Sequence, residues 1–487
     1  MKFLKTLFKA LLVIIVVAGG GLGYLISQNA WPINIPVLGT LFGAEADEEH
    51  LDEVIQLPED YAFSVYATGL GKARMLLALP GGDLLVSTPA VGAVQILSPD
   101  GDGDGKADSA QTLLEGLSRP TGMDFHDGWL YIAEDNAIGR APYDPATREL
   151  GAYTQIVTGL GVQGNHWTKT IGIGPDAMLY LVSGSTCNIC EEEDPRRAAM
   201  MRFNLDGTDG KIIALGLRNS VGFDWAPDGT LYATENARDL LGNDFPPEEL
   251  NLIEEGKFYG WPYVNGFGVL DPDFGPGHED KLETSTDPAH GFRPHNAPLG
   301  MAFVGGKGIP EDYQGTALVA LHGSWNRSEK DGYKVVSLHF EEGEITEKDF
   351  MTGFLVGGTV IGRPVDVEQD EDGALYVSDD FTGTVYKLVH GGVQGDVVRT
   401  TGAATQGEIK TFAADEIAAG EALFNELGCL SCHAPDVEGA VRLEGLAQKL
   451  SAAQVIEILE YPQPPMPTYD LSDEEKRALV AWLLSAY

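Results

Sequence analysis

Asp228-Gly229-Thr230-Leu231-Tyr232 is one copy of a phrase that recurs along residues 75–390: a turn bearing Asp or Gly, then a short apolar strand, commonly with an aromatic. Upstream copies are Gly82-Asp83-Leu84-Leu85-Val86, Asp127-Gly128-Trp129-Leu130-Tyr131 and Asp176-Ala177-Met178-Leu179-Tyr180. Downstream copies are Gly315-Thr316-Ala317-Leu318-Val319 and Asp372-Gly373-Ala374-Leu375-Tyr376. A turn-strand phrase repeating at about 50 residues is the signature of an all-β propeller. Six copies predict six blades, over residues 55–390. The one long gap, between Leu231 and Leu318, holds a loop-rich insertion (about residues 236–290) containing Pro246-Pro247 and Tyr259-Gly260-Trp261-Pro262. It is expected to shape access to the propeller mouth.

Composition narrows the class. The 487 residues carry 73 acidic and 32 basic side chains, a formal charge of −41. That excludes nucleic acid as a partner, which needs clustered Lys and Arg. Apolar content of 43% excludes an acidic disordered body. At the N-terminus, Lys2, Lys5 and Lys9 precede an apolar run from Ala10 to Ile26. Residues 1–30 therefore read as a signal anchor or signal peptide, followed by a linker over 31–54. The small-x-small triplet Ala44-Glu45-Ala46 lies far downstream of the run, which favours an uncleaved membrane anchor. The bulk is expected on the periplasmic side of the inner membrane, or free in the periplasm if the segment is cleaved.

Cys429-Leu430-Ser431-Cys432-His433 is the Cys-x-x-Cys-His attachment sequence for one covalent c-type haem. Cys429 and Cys432 are the thioether residues and His433 an axial iron ligand. Met466, in Pro464-Pro465-Met466-Pro467, is the only Met after Met351 and is expected as the second axial ligand. Amphipathic helices are predicted over Asp415–Leu427 and Leu471–Leu484, making residues 414–487 a small all-α cytochrome c domain of class I resemblance. Residues 391–413 read as its linker. The other pair, Cys187 and Cys190, lacks a following His and is expected to form a tight disulfide, with a redox role as the alternative.

Arg74, Arg119, His166, Arg218, His295 and Arg363 each stand just before the expected inner strand of a blade. Inner strands of a propeller start at the channel mouth, so this register aims four Arg and two His at one small space. Pairing with local acids is the bland explanation in so acidic a chain. Recurrence in all six blades favours a multiply anionic ligand, because crowded guanidiniums otherwise repel.

Leu215-Gly216-Leu217-Arg218-Asn219 followed by Trp225-Ala226-Pro227-Asp228-Gly229 resembles the soluble quinoprotein sugar dehydrogenases. Glu249-Leu250-Asn251-Leu252-Ile253 and Tyr259-Gly260-Trp261-Pro262 extend the likeness, which is strongest to the sorbosone dehydrogenase-like branch. The resemblance implies pyrroloquinoline quinone (PQQ), a cofactor with three carboxylates, and oxidation of a sugar or related aldehyde or alcohol. It implies His166 as general base, Arg218 as the group polarising the quinone carbonyl, and Asn219 as a cofactor ligand. Arg363 corresponds to a carboxylate-binding Arg. The family's companion Arg is replaced by Ile361, a loss for which Arg74 or Arg119 is expected to compensate. Arg327, in His322-Gly323-Ser324-Trp325-Asn326-Arg327, and His295 complete the cofactor set.

Calcium is expected at two places. The resemblance implies a site on the backbone at Asn236, Ala237 and Arg238, with Glu249 added. Independently, Asp100, Asp102, Asp104 and Asp108 occupy loop positions 1, 3, 5 and 9 around Gly105, in the manner of a calcium-stapled turn; an unoccupied acidic turn is the alternative. Electrons would pass from PQQ to the haem and on to a soluble cytochrome or terminal oxidase. Two rivals remain. A calcium-dependent lactonase-like propeller would need acidic and Asn ligands lining its channel. A non-catalytic ligand-sensing propeller with a relay cytochrome would not need His166 beside Arg218 and Asn219.

Overall fold

A computed structural model describes residues 51–341, 343–391, 414–427 and 471–486, together with Cys429, Leu443, Val455 and Leu459. The N-terminal segment, the linker after the propeller, Cys432, His433 and Met466 lie outside the described residues. Among the described residues no helix is long and apolar enough to cross a membrane. The chain divides into two units, Met1–Val398 and Arg399–Tyr487.

The first unit is a propeller of six antiparallel sheets, each with four principal strands. Blade 1 runs outward through Leu76–Ala78, Leu84–Thr88, Ala93–Leu97 and Ala110–Glu115. Blade 2 uses Met123–His126, Trp129–Ala133, Ala137–Asp144 and Thr154–Thr158; blade 3 uses Lys169–Ile173, Leu179–Ser183, Ala199–Phe203 and Lys211–Leu215. Blades 4 and 5 begin at Ser220–Trp225 and Pro298–Val304. Blade 6 comprises Pro364–Gln369, Leu375–Asp379 and Thr384–His390, and takes its outermost strand, Tyr61–Ala67, from the other end of the propeller sequence. That strand pairs antiparallel with Thr384–His390, Tyr61 opposite His390, and closes the ring.

The recurring phrase falls on the hairpin into each blade's second strand, and period-two alternation explains its apolar run. Leu84 and Val86 pack toward blade 6, whereas Leu85 packs toward blade 2. Leu130 and Ile132 face blade 1, and Tyr131 and Ala133 face blade 3. The core is therefore six apolar slabs, one between each pair of neighbouring blades. A strand buried on both faces needs no polar alternation.

The insertion is not one continuous lid. Its middle, Glu248–Leu252, is the third strand of blade 4, so only residues 236–247 and 253–289 are additions. The second piece pairs Lys257–Phe258 in parallel with the outer strand of blade 3, forms the hairpin Val264–Asn265/Val269–Leu270, and returns to blade 4.

In the second unit, helices Ala414–Glu426 and Asp473–Ala486 pack together around Phe424, Leu479, Val480 and Leu483. Gly420 permits the close crossing: a Cβ there would lie 1.9 Å from the Ala478 carbonyl oxygen. Ser472 and Glu475 form a reciprocal capping box that starts the second helix. Cys429 directly follows the first helix, its amide 3.3 Å from the Phe424 carbonyl oxygen.

Candidate active site

The first strand of each blade lines the channel, and residues just before it stand at one mouth. In an antiparallel hairpin the end of the second strand lies beside the start of the first, so a second row of residues reaches the same mouth. Asp135, Ser185, Asn236, His322 and Asp380 belong to this row.

Asp380 organises one side. Its Oδ2 accepts from Arg74 Nη1 at 2.9 Å, and its Oδ1 accepts from Arg363 Nη2 at 2.8 Å and lies 2.9 Å from His322 Nε2. Burial alone would raise this carboxyl; His322, Arg363 and Arg74 overcome it and hold Asp380 well below the usual range. Burial pushes His322 down to about 4 against the pull of Asp380. Two guanidiniums thus face one carboxylate, leaving a positive excess.

Arg218 organises the opposite side. Nε donates to the Asn188 carbonyl, Nη1 to the Asn236 carbonyl, and Nη2 to Asn188 Oδ1 and Asp239 Oδ2, all at 2.9 Å. A guanidinium has five N–H groups, so one remains for a ligand. The ring of cations is therefore not held apart by an external anion alone. Asp380 and Asp239 supply internal counter-charges, and the guanidiniums pre-engage the acids a lactonase-like centre would need.

His166 lies against Arg218 and Asn219. Gly184 makes this possible: a Cβ there would fall 2.6 Å from both His166 Cβ and Asn219 Oδ1. Burial, then Arg218, push the imidazole down to about 3. Its Nδ1 is 2.8 Å from Ser185 Oγ. Beneath the site, Glu235 accepts from the Asn219 amide and the Ser220 hydroxyl, and burial raises its carboxyl far above the usual range.

Of the remaining expected residues, His295 joins the Arg218 side, its Nδ1 3.9 Å from Asp239 Oδ1. Arg119 is half exposed, 3.6 Å from Asp135, and lies over the Trp167 ring at 5.5 Å. His295 is buried, and its Nε2 bonds the Gly242 carbonyl at 2.7 Å. Arg119 and His295 hold φ of 44° and 66°, left-handed values that only firm surroundings impose on such residues. Arg327 donates to the carbonyls of Asn243 and Pro294.

The residues expected from the resemblance to hold calcium have partners of their own. The Asn236 carbonyl already accepts Arg218, which would place a guanidinium beside any cation on that oxygen. Glu249 turns away to accept from Asn251 Nδ2 and the Gly266 amide. Its neighbour Glu248 takes the Ala237 amide instead. The Arg238 side chain is drawn off by Asp271 and Asp273. At the acidic loop, Asp100, Asp102 and Asp108 bring carboxylate oxygens within 4.8 Å of one another. Asp104 is not among them; its Oδ1 accepts the Lys106 amide at 2.8 Å.

At the mouth, Arg74 Nε, Arg327 Nε and Asn219 Oδ1 are buried without a partner among the described residues. Orphaned donors beside a positive excess fit an anionic, carboxylate-bearing group. Ser185, Asn188, Asp239, His322 and Asp380 were missed in the sequence; the signal for most is position directly after a second strand.

A family model described as TrAA12-like matches residues 55–273 and 277–391, most of the chain. The chain belongs to the TrAA12-like family. A second model, described as cytochrome c oxidase, cbb3-type, subunit III, matches residues 415–483, so this TrAA12-like propeller is joined to a cytochrome c domain. The chain is 28% identical over 360 residues to a pyrroloquinoline quinone-dependent pyranose dehydrogenase of Coprinopsis cinerea, covering 58% of this chain and 48% of that protein. It thus spans about half the length of that relative. An uncharacterised protein of Borreliella burgdorferi is also 28% identical over 361 residues, covering 70% of this chain and 92% of that one. The fold is shared with the PQQ domain of the Coprinopsis enzyme in its holo form, at TM-score 0.60 and 24% identity over 69% of this chain and 97% of that one. It is shared as well with a calcium structure of a Trichoderma reesei family AA12 enzyme, at TM-score 0.61 and 23% identity over the same shares.

Proposed function

We propose that this chain is a PQQ-dependent dehydrogenase oxidising a sugar or related alcohol or hydrated aldehyde, with its cytochrome domain as the electron outlet. The observation that carries the reading is a half-buried His166 set against Arg218 and Asn219 at the mouth of a TrAA12-like propeller. PQQ, when bound, supplies the two-electron acceptor, and the haem expected on Cys429 and Cys432 a one-electron exit. Arg74, Arg363 and Arg327 would hold its carboxylates, and Asn219 and the remaining Arg218 N–H its polar ring edge.

The chain's own chemistry is proton handling. His166 accepts the proton of the substrate hydroxyl through Nε2, the nitrogen not engaged by Ser185. Unprotonated at every physiological pH, it needs no prior deprotonation. The positive surroundings that make it a weak base also stabilise negative charge developing on the substrate oxygen. Arg119, exposed over Trp167, is placed to meet substrate hydroxyls at the rim. The acidic loop at Asp100, Asp102 and Asp108 is the proposed calcium staple, and residues 1–30 the export segment that carries the rest to the periplasmic side.

The test is to load the purified full chain with PQQ and Ca²⁺ and follow the haem absorbance across a panel of aldoses, alcohols and aldehydes. Haem reduction by one substrate class is expected. No reduction by any member, with PQQ loading verified, overturns the reading.

A further inference from the structure

The four-residue loop closed by the Cys187–Cys190 disulfide is expected from the sequence to be a covalent staple, and the bond is present. Its hydrogen bonds reach directly into the mouth. Ser185, fully buried just before the loop, has its Oγ 2.7 Å from the Cys187 carbonyl oxygen and 2.8 Å from His166 Nδ1. A hydroxyl owns one hydrogen, and a carbonyl can only accept. The hydroxyl hydrogen is therefore committed to Cys187, and the contact with His166 has to be donated by the imidazole. That places the ring proton on Nδ1 and a lone pair on Nε2.

The same loop grips Arg218. The Asn188 carbonyl accepts from Arg218 Nε, and Asn188 Oδ1 accepts from Arg218 Nη2, so one residue holds two edges of the guanidinium. Asn188 also binds both backbone groups of Asp239, its Oδ1 accepting the amide at 2.9 Å and its Nδ2 donating to the carbonyl at 3.1 Å. Trp261 Nε1, from the insertion, donates to the Asn188 carbonyl at 3.2 Å. Arg197 fixes the backbone from behind, its Nη2 donating to the carbonyls of His166 and Ser185.

We propose that Ser185 and the disulfide-closed loop Cys187–Cys190 form a positioning element that selects the Nδ1–H tautomer of His166 and fixes the plane of Arg218. The tautomer claim stands on geometry alone; its consequence for turnover rests on the dehydrogenase reading. Selection by a carbonyl-anchored hydroxyl does for this histidine what a carboxylate does in hydrolytic triads: it decides which nitrogen is the base.

The test uses the full chain with ¹⁵N-labelled histidine rings, His166 being assigned by the signals missing in His166→Gln. The wild type is expected to show a protonated Nδ1 and an unprotonated Nε2 at neutral pH. In Ser185→Ala that preference is expected to be lost, and in Ser185→Thr, which keeps the hydroxyl, to return. A wild type with the proton on Nε2, or an unchanged ring in a folded Ser185→Ala, overturns the proposal; the wild-type arm needs no variant to fold. In PQQ-loaded enzyme, Ser185→Ala is expected to lower kcat by about 10- to 100-fold with little change in KM, the range lost with an orienting partner. Asn188→Ala is expected to lower kcat similarly, and Asn188→Asp, which keeps the acceptor for Arg218, to recover part of it. Equal losses in both Asn188 variants overturn the Arg218 half. Failure of the dehydrogenase reading shows differently, as no turnover in the wild type with the tautomer result intact.

Discussion

Asp380 and Asp366 belong to the same blade and are both shielded from water, yet their surroundings push them in opposite directions. Asp380, at the mouth, meets Arg74, Arg363 and His322 and is held ionised well below the ordinary carboxylate range. Asp366, in the channel wall, accepts the Leu76 amide of blade 1 at 2.8 Å and is raised by burial to about 7. The channel pattern repeats. Asp124 of blade 2 accepts the Ile173 amide of blade 3, and Asp224 of blade 4 accepts the Phe303 amide of blade 5, and burial raises each to about 6. Alternate blades are thus stitched to their neighbours by acids near neutrality. At the mouth the same side chain organises cations; in the wall it joins backbones. Burial is common to both regions, and the partner decides the charge.

Substitutions can break or sharpen that contrast. The largest effect belongs to His166→Ala, which is expected to lower kcat by about 10²- to 10⁴-fold, the span of general-base catalysis, with PQQ binding and thermal stability retained. A matching loss of PQQ would make His166 a binding residue instead. Next comes Asp380→Asn, which takes the shared carboxylate from two largely shielded guanidiniums. Urea melts should show a loss of about 3–5 kcal/mol. Asp366→Asn keeps the acceptor for Leu76 and should do the reverse at pH 8, a gain on the order of 1–3 kcal/mol, since each pKa unit is worth about 1.4 kcal/mol. If both variants shift stability in the same direction, the contrast fails.

The pH dependence follows with its own signs. Asp380 has a depressed folded pKa, so its contribution is present above about 4, the unfolded value, and fades as pH falls below it. Asp366, Asp224 and Asp124 have raised folded values. Their contribution is complete below about 4 and fades as pH rises toward 6–7. Melts across pH 3–8 on wild type and the two Asn variants separate these limbs. His166, pushed to about 3, should leave kcat/KM without an acid limb near the ordinary histidine value of about 6.5. The smallest effect is at the exposed acidic loop: Asp102→Asn and Asp108→Asn should weaken Ca²⁺ binding by calorimetry, and Asp104→Asn should not.

Much of this was legible in the sequence. The turn-strand phrase marked all six blades because a strand buried on both faces must be continuously apolar, and the mouth register of His166, Arg218 and Arg363 followed from it. The closing strand Tyr61–Ala67 was not legible, because its partner lies at the far end of the propeller sequence and no local pattern announces the pairing. The second row at the mouth was missed for a different reason. Asp380, Ser185 and His322 follow second strands, and only the antiparallel return of the hairpin brings them alongside the first row. Glu248 and Glu249 take different partners, the Ala237 amide and Asn251 with Gly266, because successive residues of a strand face opposite ways.

The pairing of Tyr61 with His390 also sets how the molecule bears load. The segment leading into the propeller and the segment leaving it toward the cytochrome depart from adjacent positions on blade 6. A pull on the outgoing segment would therefore peel this ladder from its His390 end a rung at a time, like a zipper rather than a sheared joint. The incoming segment is better secured, because Gln56 exchanges backbone hydrogen bonds with Thr352 and both Leu51 and Ile55 are buried ahead of the strand. Tension between the two ends would open blade 6 from its last strand, not its first.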